Sequence, residues 1–198
     1  KTYNKEKLYL VGYSWGGFLG FEFAQKHPEL LHTYVAVSSM IHHIKGERLT
    51  LDYLVEQATA TNNIRAVKEL SELQLPTANW QDMYTLRKWT TFFIDGKKKD
   101  ASNPVKLYEP WAATWFPIFM EAAAVNYVET VPKLQCPVYF FTSKKDYIAN
   151  FKLVQQYYNT LHSPHKELVW FPEAGHEIPS KQPKEFAKEL ILISKKEH

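Results

Sequence analysis

Three residues of this 198-residue chain have the types and the order that nucleophilic catalysis requires: Ser14, Asp146 and His176. A serine hydroxyl is a weak nucleophile until a histidine takes its proton and a carboxylate orients that histidine. Each of the three follows a predicted strand, so the ordered set is far more specific than any one member. The sequence predicts that Ser14 attacks a carbonyl carbon, that His176 transfers the proton, and that Asp146 orients His176 and stabilises its charged form.

Ser14 lies in a Gly-Tyr-Ser-Trp-Gly pattern at a predicted junction between a strand and a helix. The apolar run Lys7–Val11 predicts a short buried strand, and Trp15–His27 predicts a helix. In this context the G-x-S-x-G pattern predicts a nucleophile elbow, a tight turn that holds the serine at the carboxyl end of the strand. We expect this turn to leave no room for side chains at Gly12 and Gly16.

The candidate acid and base follow two later apolar runs. Asp146 comes shortly after Pro137–Thr142, and His176 comes shortly after Leu168–Phe171. Open α/β sheets place their ligands at the carboxyl ends of the strands, which is where both loops are predicted to lie. We therefore expect Asp146 to reach His176, and His176 to reach Ser14.

The pattern of apolar runs predicts the α/β class, with a parallel sheet whose strand order follows chain order. Short continuous apolar runs are typical of parallel strands that are covered on both faces, and their alternation with helices indicates right-handed crossovers. In the last helix, Phe186, Leu190 and Ile193 recur at helical spacing. The predicted strands are Lys7–Val11, Thr33–Ser38, Val138–Thr142 and Leu168–Phe171, and the predicted helices between and after them are Trp15–His27, Phe151–Leu161 and Pro183–Ser194.

About a hundred residues without a clear strand separate the second and third predicted strands. We interpret residues 40–131 as an inserted helical cap over the site, and residues 1–39 and 132–198 as the core. Asn62 and Asn79 are predicted N-caps. The predicted helices of the insertion are Leu51–Ala58, Asn63–Leu73, Trp80–Ile94 and Ala112–Tyr127.

Composition narrows the class of protein. The net charge is +3 and the lysines are scattered, with the densest run at 97–99, so we expect no nucleic-acid partner. The chain has no apolar stretch of 18 residues and no signal peptide, which predicts no membrane span and a cytoplasmic location. The single cysteine, Cys136, excludes an internal disulfide and is predicted to be buried.

The chain resembles the α/β-hydrolase superfamily, and within it the proline iminopeptidase-like branch. The resemblance rests on the Gly-Tyr-Ser-Trp-Gly-Gly motif, on the run that leads to Asp146, and on the motif around His176; it is weak in the insertion. Two positions depart from the family's frequent pattern. Tyr13 stands where a histidine often precedes the nucleophile, and Ser143 stands where a glycine often lies three residues before the acid.

The resemblance also implies that strands and a loop before Lys7–Val11 belong to the complete fold. That loop supplies one main-chain N–H to the oxyanion hole, so the N–H of Trp15 is the only oxyanion donor expected within this sequence. We therefore expect the chain to be the carboxyl-terminal part of a longer enzyme, so that its sheet is truncated and contains about four strands. The expected partner along strand 7–11 is the amino-terminal part of the same protein or a second copy.

The predicted activity is that of a serine hydrolase on a small amide or ester, through an acyl-enzyme and without cofactor or metal. By resemblance the substrate includes short peptides with a free N-terminus, as for an aminopeptidase of the proline iminopeptidase type. The alternatives left open are an inactive binding or regulatory module, an esterase, and a cofactor-free haloperoxidase or a lyase. His42-His43 lacks the spaced partners of a metal site, and four aromatic residues could line a pocket or fill the cap interior: Trp111, Trp115, Phe116 and Phe119.

Overall fold

The structure, a computed structural model, describes residues 5–94 and 105–197, and at 105–108 and 111 it describes the backbone alone. The lysine run at 97–99 lies outside the described residues. The chain divides into two compact units, one formed by Lys1–Ile41 with Asn126–His198 and the other by His42–Val125. That the second unit acts as a cap stays a prediction.

The first unit contains a four-stranded parallel sheet in the order β1-β2-β3-β4, so the predicted class and strand order are confirmed. Within the described residues β1 pairs only with β2 and lies at an edge. The register aligns Gly12 with Ala36 and Val37 with Phe141, which brings the carboxyl ends of neighbouring strands together. The strands are β1 (Leu8–Tyr13), β2 (Leu31–Val37), β3 (Val138–Thr142) and β4 (Lys166–Trp170).

The three helices predicted for the first unit agree with the structure to within a few residues, and two further helices of this unit, of four residues each, were not predicted. The helix after Ser14, α1, covers Trp15–Lys26. A short 3-10 helix, Pro28–Leu30, then leads into β2. The remaining helices of this unit are α6 (Tyr127–Thr130), α7 (Phe151–Thr160), α8 (Ile178–Lys181) and α9 (Pro183–Lys196).

Apolar side chains cover both faces of the sheet, as continuous apolar strands require. On one face the ring of Phe21 from α1 contacts Tyr34 of β2 and Phe140 of β3, with centroids 5.1 and 5.9 Å apart. On the other face α9 packs on the alternate residues of the same strands. The predicted helical stripe supplies this contact, since Ile193 is buried there with Phe186 and Leu190 against it.

The second unit is helical in the described residues. Helix α2 begins at His43, eight residues before the predicted start. The next helix, α3 (Ile64–Ser71), has Asn63 as its N-cap, and the Asn63 side chain accepts the N–H of Ala66. The predicted cap, Asn62, is wrong, and this residue has a left-handed φ of 51°. Asn79 accepts the N–H of Asp82 as expected of a cap. The helices are α2 (His43–Ala60), α3 (Ile64–Ser71), α4 (Trp80–Ile94) and α5 (Val105–Ala123).

A buried polar contact holds α2 to the loop before α4. The Glu47 carboxylate accepts the N–H and the hydroxyl of Thr77 at 3.1 and 2.7 Å, and lies 3.0 Å from His43 Nε2. Burial raises the pKa of Glu47, but the hydrogen bonds from His43 and Thr77 lower it by more, so this carboxylate is charged. Among the described helices none is both long and apolar enough to cross a membrane.

Candidate active site

Ser14 occupies a strained turn between β1 and α1. Its φ of 53° and ψ of −113° lie outside the regions that side-chain-bearing residues favour. The Ser14 N–H donates to Val37 C=O at 2.8 Å, and the Ser14 C=O accepts the N–H of Phe18 at 3.0 Å. The residue therefore ends the sheet ladder and begins the helix at once. Its hydroxyl makes no capping bond to the helix, which leaves that hydroxyl for another partner.

The space around the turn corrects one expectation about its glycines. A Cβ at Gly12 would lie 2.5 Å from Gly16 C=O, so a side chain is excluded there as predicted. Among the described residues outside its own helical turn, no atom lies within 4 Å of a Cβ placed at Gly16, so the predicted need for glycine at that position is wrong. The crowded position is Gly17, where a Cβ would lie 1.8 Å from Ser39 Oγ. The tight contact is with Ser39, two residues after the end of β2, and spacing along the turn does not reveal it.

The three candidate residues lie within hydrogen-bonding distance in the predicted order. His176 Nε2 is 2.9 Å from Ser14 Oγ. His176 Nδ1 is 3.2 and 3.1 Å from the two carboxylate oxygens of Asp146. The side chain of Asp146 is fully buried, and that of His176 is 14% exposed. The predicted proximity is thus observed, and all three residues belong to the first unit.

The surroundings of Asp146 keep its carboxylate charged despite its burial. Burial raises the pKa of this group, but His176, the N–H of Ala149 and the Ser38 hydroxyl lower it by more, so the net shift is downward. The N–H groups of Ile148 and Ala149 donate to Oδ1 at 3.0 and 2.9 Å. A charged carboxylate only accepts hydrogen bonds, so Nδ1 of His176 carries a proton and Nε2 can accept from Ser14. This is the tautomer that proton removal from Ser14 requires.

Two side chains near the three residues escaped the sequence analysis. Ser38 follows β2 directly, has a left-handed φ of 45° and is fully buried beside Asp146. Tyr13 was noted only as a departure from the family pattern; its ring lies 5.5 Å from the His176 ring. Burial, with the negative charges of Glu177 and Asp146, raises the pKa of Tyr13 to about 12, so the phenol is neutral. The proximity of Ser38 to Asp146 and of Tyr13 to His176 is visible only in the tertiary structure, because no local sequence pattern indicates it.

Other candidate residues have simpler surroundings. Trp15 is the first residue of α1, where the positive end of the helix dipole favours negative charge on a bound group. Cys136 is buried as expected, and burial raises the pKa of its thiol to about 11. Phe116 and Phe119 are buried in the second unit, where the Trp115 ring lies 4.6 Å from that of Phe119.

No candidate metal site emerges in the described part of the chain. His43 contacts Glu47 and the Phe119 ring, and no group of three or more His, Cys, Asp or Glu side chains in residues 5–94 and 105–197 could hold an ion. The side chain of Trp111 lies outside the described residues, so its predicted pocket role stays a prediction.

Comparison with known proteins gives the site a context. The sequence pattern of the family described as serine aminopeptidase, S33, matches residues 1–182. The probable aminopeptidase YbaC of Bacillus subtilis (strain 168) is 23% identical over 217 residues, which cover 95% of this chain and 65% of YbaC. The chain therefore spans about two thirds of the length of this curated relative.

Solved structures share the fold at low sequence identity. The proline iminopeptidase of Mycobacterium smegmatis has a TM-score of 0.64 and 16% identity, over 98% of this chain and 67% of that one. The α/β hydrolase MGS-M2, from a Medee basin deep-sea metagenome library, has a TM-score of 0.60 and 19% identity, over 96% of this chain and 66% of that one. These matches show the α/β-hydrolase fold, as the resemblance implied.

Proposed function

Because the chain belongs to the serine aminopeptidase S33 family, we propose that it hydrolyses a small amide or ester through an acyl-enzyme on Ser14. The observation that carries this proposal is the connected set of contacts from Ser14 Oγ through His176 to Asp146. A serine is activated as a nucleophile when it lies in a strained elbow and its hydroxyl contacts a histidine nitrogen that is free to accept the proton.

The proposed reaction has two stages. Ser14 Oγ attacks the substrate carbonyl carbon while His176 Nε2 takes the hydroxyl proton, and the charge of Asp146 stabilises the imidazolium. The Trp15 N–H donates to the oxyanion of the tetrahedral intermediate. His176 then gives its proton to the leaving amine or alcohol, and water, activated by the same histidine, releases the acid from Ser14. None of these steps requires a metal or a cofactor.

Short peptides with a free N-terminus are the proposed substrate class, as for an aminopeptidase of the proline iminopeptidase type. The description of the family and the name of the Bacillus relative support this choice. The chemistry of the three residues serves an ester equally well. Rates on an aminoacyl p-nitroanilide and on p-nitrophenyl acetate, compared in one preparation, distinguish a peptidase from an esterase.

We also propose that another strand pairs with the open edge of β1. Leu8 and Val11 are 45% and 42% exposed there, and an apolar, unpaired edge favours addition of a strand. The strand comes from the amino-terminal part of the same protein or from a second copy. The cytoplasmic location predicted above stays a prediction.

The test of the proposed activity is Ser14→Ala in the full-length protein. We expect a loss of turnover on the order of 10⁴-fold or more, with the fold retained, because the members of such a set act as a unit. A fluorophosphonate probe should label the wild type at Ser14, and the control Ser71→Ala, an exposed serine of α3, should be labelled normally. Labelling at another residue, or normal turnover by Ser14→Ala, would refute the assignment. A wild type without labelling or turnover would favour the binding-module alternative.

A further inference from the structure

We propose that Ser143 and Gln182 are positioning residues that together hold the loop carrying His176 in register with the loop carrying Asp146. The proposal rests on the proposed function, because it concerns how the base and the acid of that reaction are kept together. Both residues act through the main chain of Ala174, and the three are called the Ala174 clamp below. Among the described residues, neither the Ser143 nor the Gln182 side chain forms a hydrogen bond to Ser14, Asp146 or His176.

The first half of the clamp joins the acid loop to the histidine loop. The Ser143 hydroxyl donates to Ala174 C=O and accepts the N–H of Lys145 at 3.1 Å. Ser143 C=O also accepts the N–H of Asp146 at 2.9 Å. Ser143 and Ala174 are both fully buried, so water cannot replace these bonds cheaply. One hydroxyl thus connects the turn that presents Asp146 to the residue two positions before His176.

The second half of the clamp joins the histidine loop to the start of α9. The side-chain oxygen of Gln182 accepts the N–H of Glu173 at 3.0 Å and the N–H of Ala174 at 3.1 Å. Gln182 directly precedes α9, whose apolar face packs on the sheet. These bonds therefore fix the position of the loop that carries His176 relative to helix α9. Ala174 is bonded through its N–H on one side and its C=O on the other.

A surface ion pair also joins the loops that carry Asp146 and His176, but it contributes little to fixing their spacing. Lys145 Nζ lies 3.7 Å from Glu173 Oε2, and both side chains are more than half exposed. Exposed pairs of this kind contribute little, because water screens them and their side chains are mobile. The bonds to Ala174, buried for Ser143 and partly buried for Gln182, are the ones that fix the spacing. A loop displacement of about 1 Å is enough to lower a rate 10²-fold, so this spacing has catalytic consequences.

The two halves of the clamp call for different substitutions. Gln182→Met removes the acceptor at nearly constant volume, whereas Gln182→Glu keeps an oxygen that accepts the same two N–H groups. Ser143→Ala removes the donor to Ala174. The matched control is Ser163→Ala, at the amino ends of β3 and β4. The Ser163 hydroxyl lies 2.9 and 2.7 Å from two loop carbonyl oxygens, those of Cys136 and His165, and its single proton is donated to either of them.

The experiment measures kcat and KM on an activated ester, and the proton NMR signal of the His176 Nδ1–H, in the full-length protein. For Ser143→Ala and Gln182→Met we expect kcat to fall about tenfold with KM within about twofold, and the Nδ1–H signal to broaden or shift, since loss of a hydrogen bond to Ala174 loosens the contact between His176 and Asp146. Gln182→Glu should restore both readouts. Ser163→Ala should change thermal stability only.

The results separate this proposal from the proposed function. Wild-type kcat and signal in Gln182→Met and Ser143→Ala would overturn the clamp, as would equal losses in Gln182→Glu and Gln182→Met. If the wild type neither turns over nor is labelled at Ser14, the proposed function fails, and the NMR signal alone then decides whether the clamp positions His176.

Discussion

The conformation of Ser14 lowers the stability of the fold, while it places the Ser14 hydroxyl beside His176. A serine at a helix N-cap normally bonds an N–H of the first turn, which contributes about 1 kcal/mol. Here no such bond forms, and the backbone has a left-handed φ, a conformation that costs roughly 1–3 kcal/mol. The hydroxyl lies instead 2.9 Å from His176 Nε2. A strained, uncapped serine whose hydroxyl lies against a partly buried histidine is what the proposed nucleophile requires.

At the same scale, Asp146→Asn should separate the geometry of the acid from its charge. The amide fits the same space but is neutral, so it neither fixes the His176 tautomer nor stabilises the imidazolium. We expect kcat to fall on the order of 10⁴-fold with the fold retained. Steady-state kinetics on an activated ester, with circular dichroism of both proteins, measures this. A loss below tenfold would direct the search to another acid.

The same variant checks the charge of Asp146 through the pH dependence of stability. The folded pKa of Asp146 is lowered, so its contribution to stability is fully present above the unfolded pKa of about 3.9 and is lost as pH falls through the folded pKa. Below about pH 4 the unfolding free energy of the wild type should therefore fall more steeply than that of Asp146→Asn. Parallel curves from denaturant titrations at several pH values would contradict a charged Asp146.

At the scale of elements, the elbow depends on how closely β1 and α1 approach each other. The Cβ of an alanine at position 12 would meet backbone atoms of Gly16 and Gly17 at 2.5 to 2.8 Å, and backbone cannot rotate away. Gly16 has open space and lies in the first turn of α1. The two glycines of one motif thus face different constraints.

Gly12→Ala and Gly16→Ala are a matched pair that measures this difference. We expect Gly12→Ala to lower the unfolding free energy by about 1–3 kcal/mol, because the two elements must separate. Gly16→Ala should be neutral or stabilising by up to about 1 kcal/mol, since alanine is the better helix former. Thermal and denaturant unfolding of both variants provides the comparison. Equal destabilisation would show that the turn requires glycine at both positions.

At the scale of the whole molecule, the open edge of β1 is the feature with the largest consequence. Parallel strands are normally enclosed within a sheet, yet in the described residues β1 pairs on one side only. Leu8, Val11 and Tyr13 are each 40% or more exposed. No charge on β1 opposes pairing, and charges are the usual protection of such an edge.

We expect the purified 198-residue chain to self-associate along β1, and Val11→Lys to lower the association by placing a charge on the edge. If the proposed strand comes from an amino-terminal part of the protein, adding that part should compete with self-association and raise esterase activity, since an added oxyanion donor is worth roughly 10²–10³ in rate. Size-exclusion chromatography with light scattering and an esterase assay measure both effects. A wild-type monomer with full activity would refute the proposed strand addition.

Local patterns in the sequence determined the strand-turn-helix unit around Ser14, the four parallel strands and the order of the three candidate residues. Each of these follows from short-range rules, since glycine spacing, apolar runs and helix periodicity are written in neighbouring residues. The catalytic roles of Ser14, Asp146, His176 and Trp15 stay predictions. Only the tertiary structure decided that Gly17 and not Gly16 is crowded, because the crowding atom belongs to Ser39. Only the tertiary structure showed that Ser143, 31 residues before Ala174, and Gln182, 8 residues after it, both bond to Ala174. Hydrogen bonds between loops depend on how the strands are brought together in space, which local sequence patterns do not indicate.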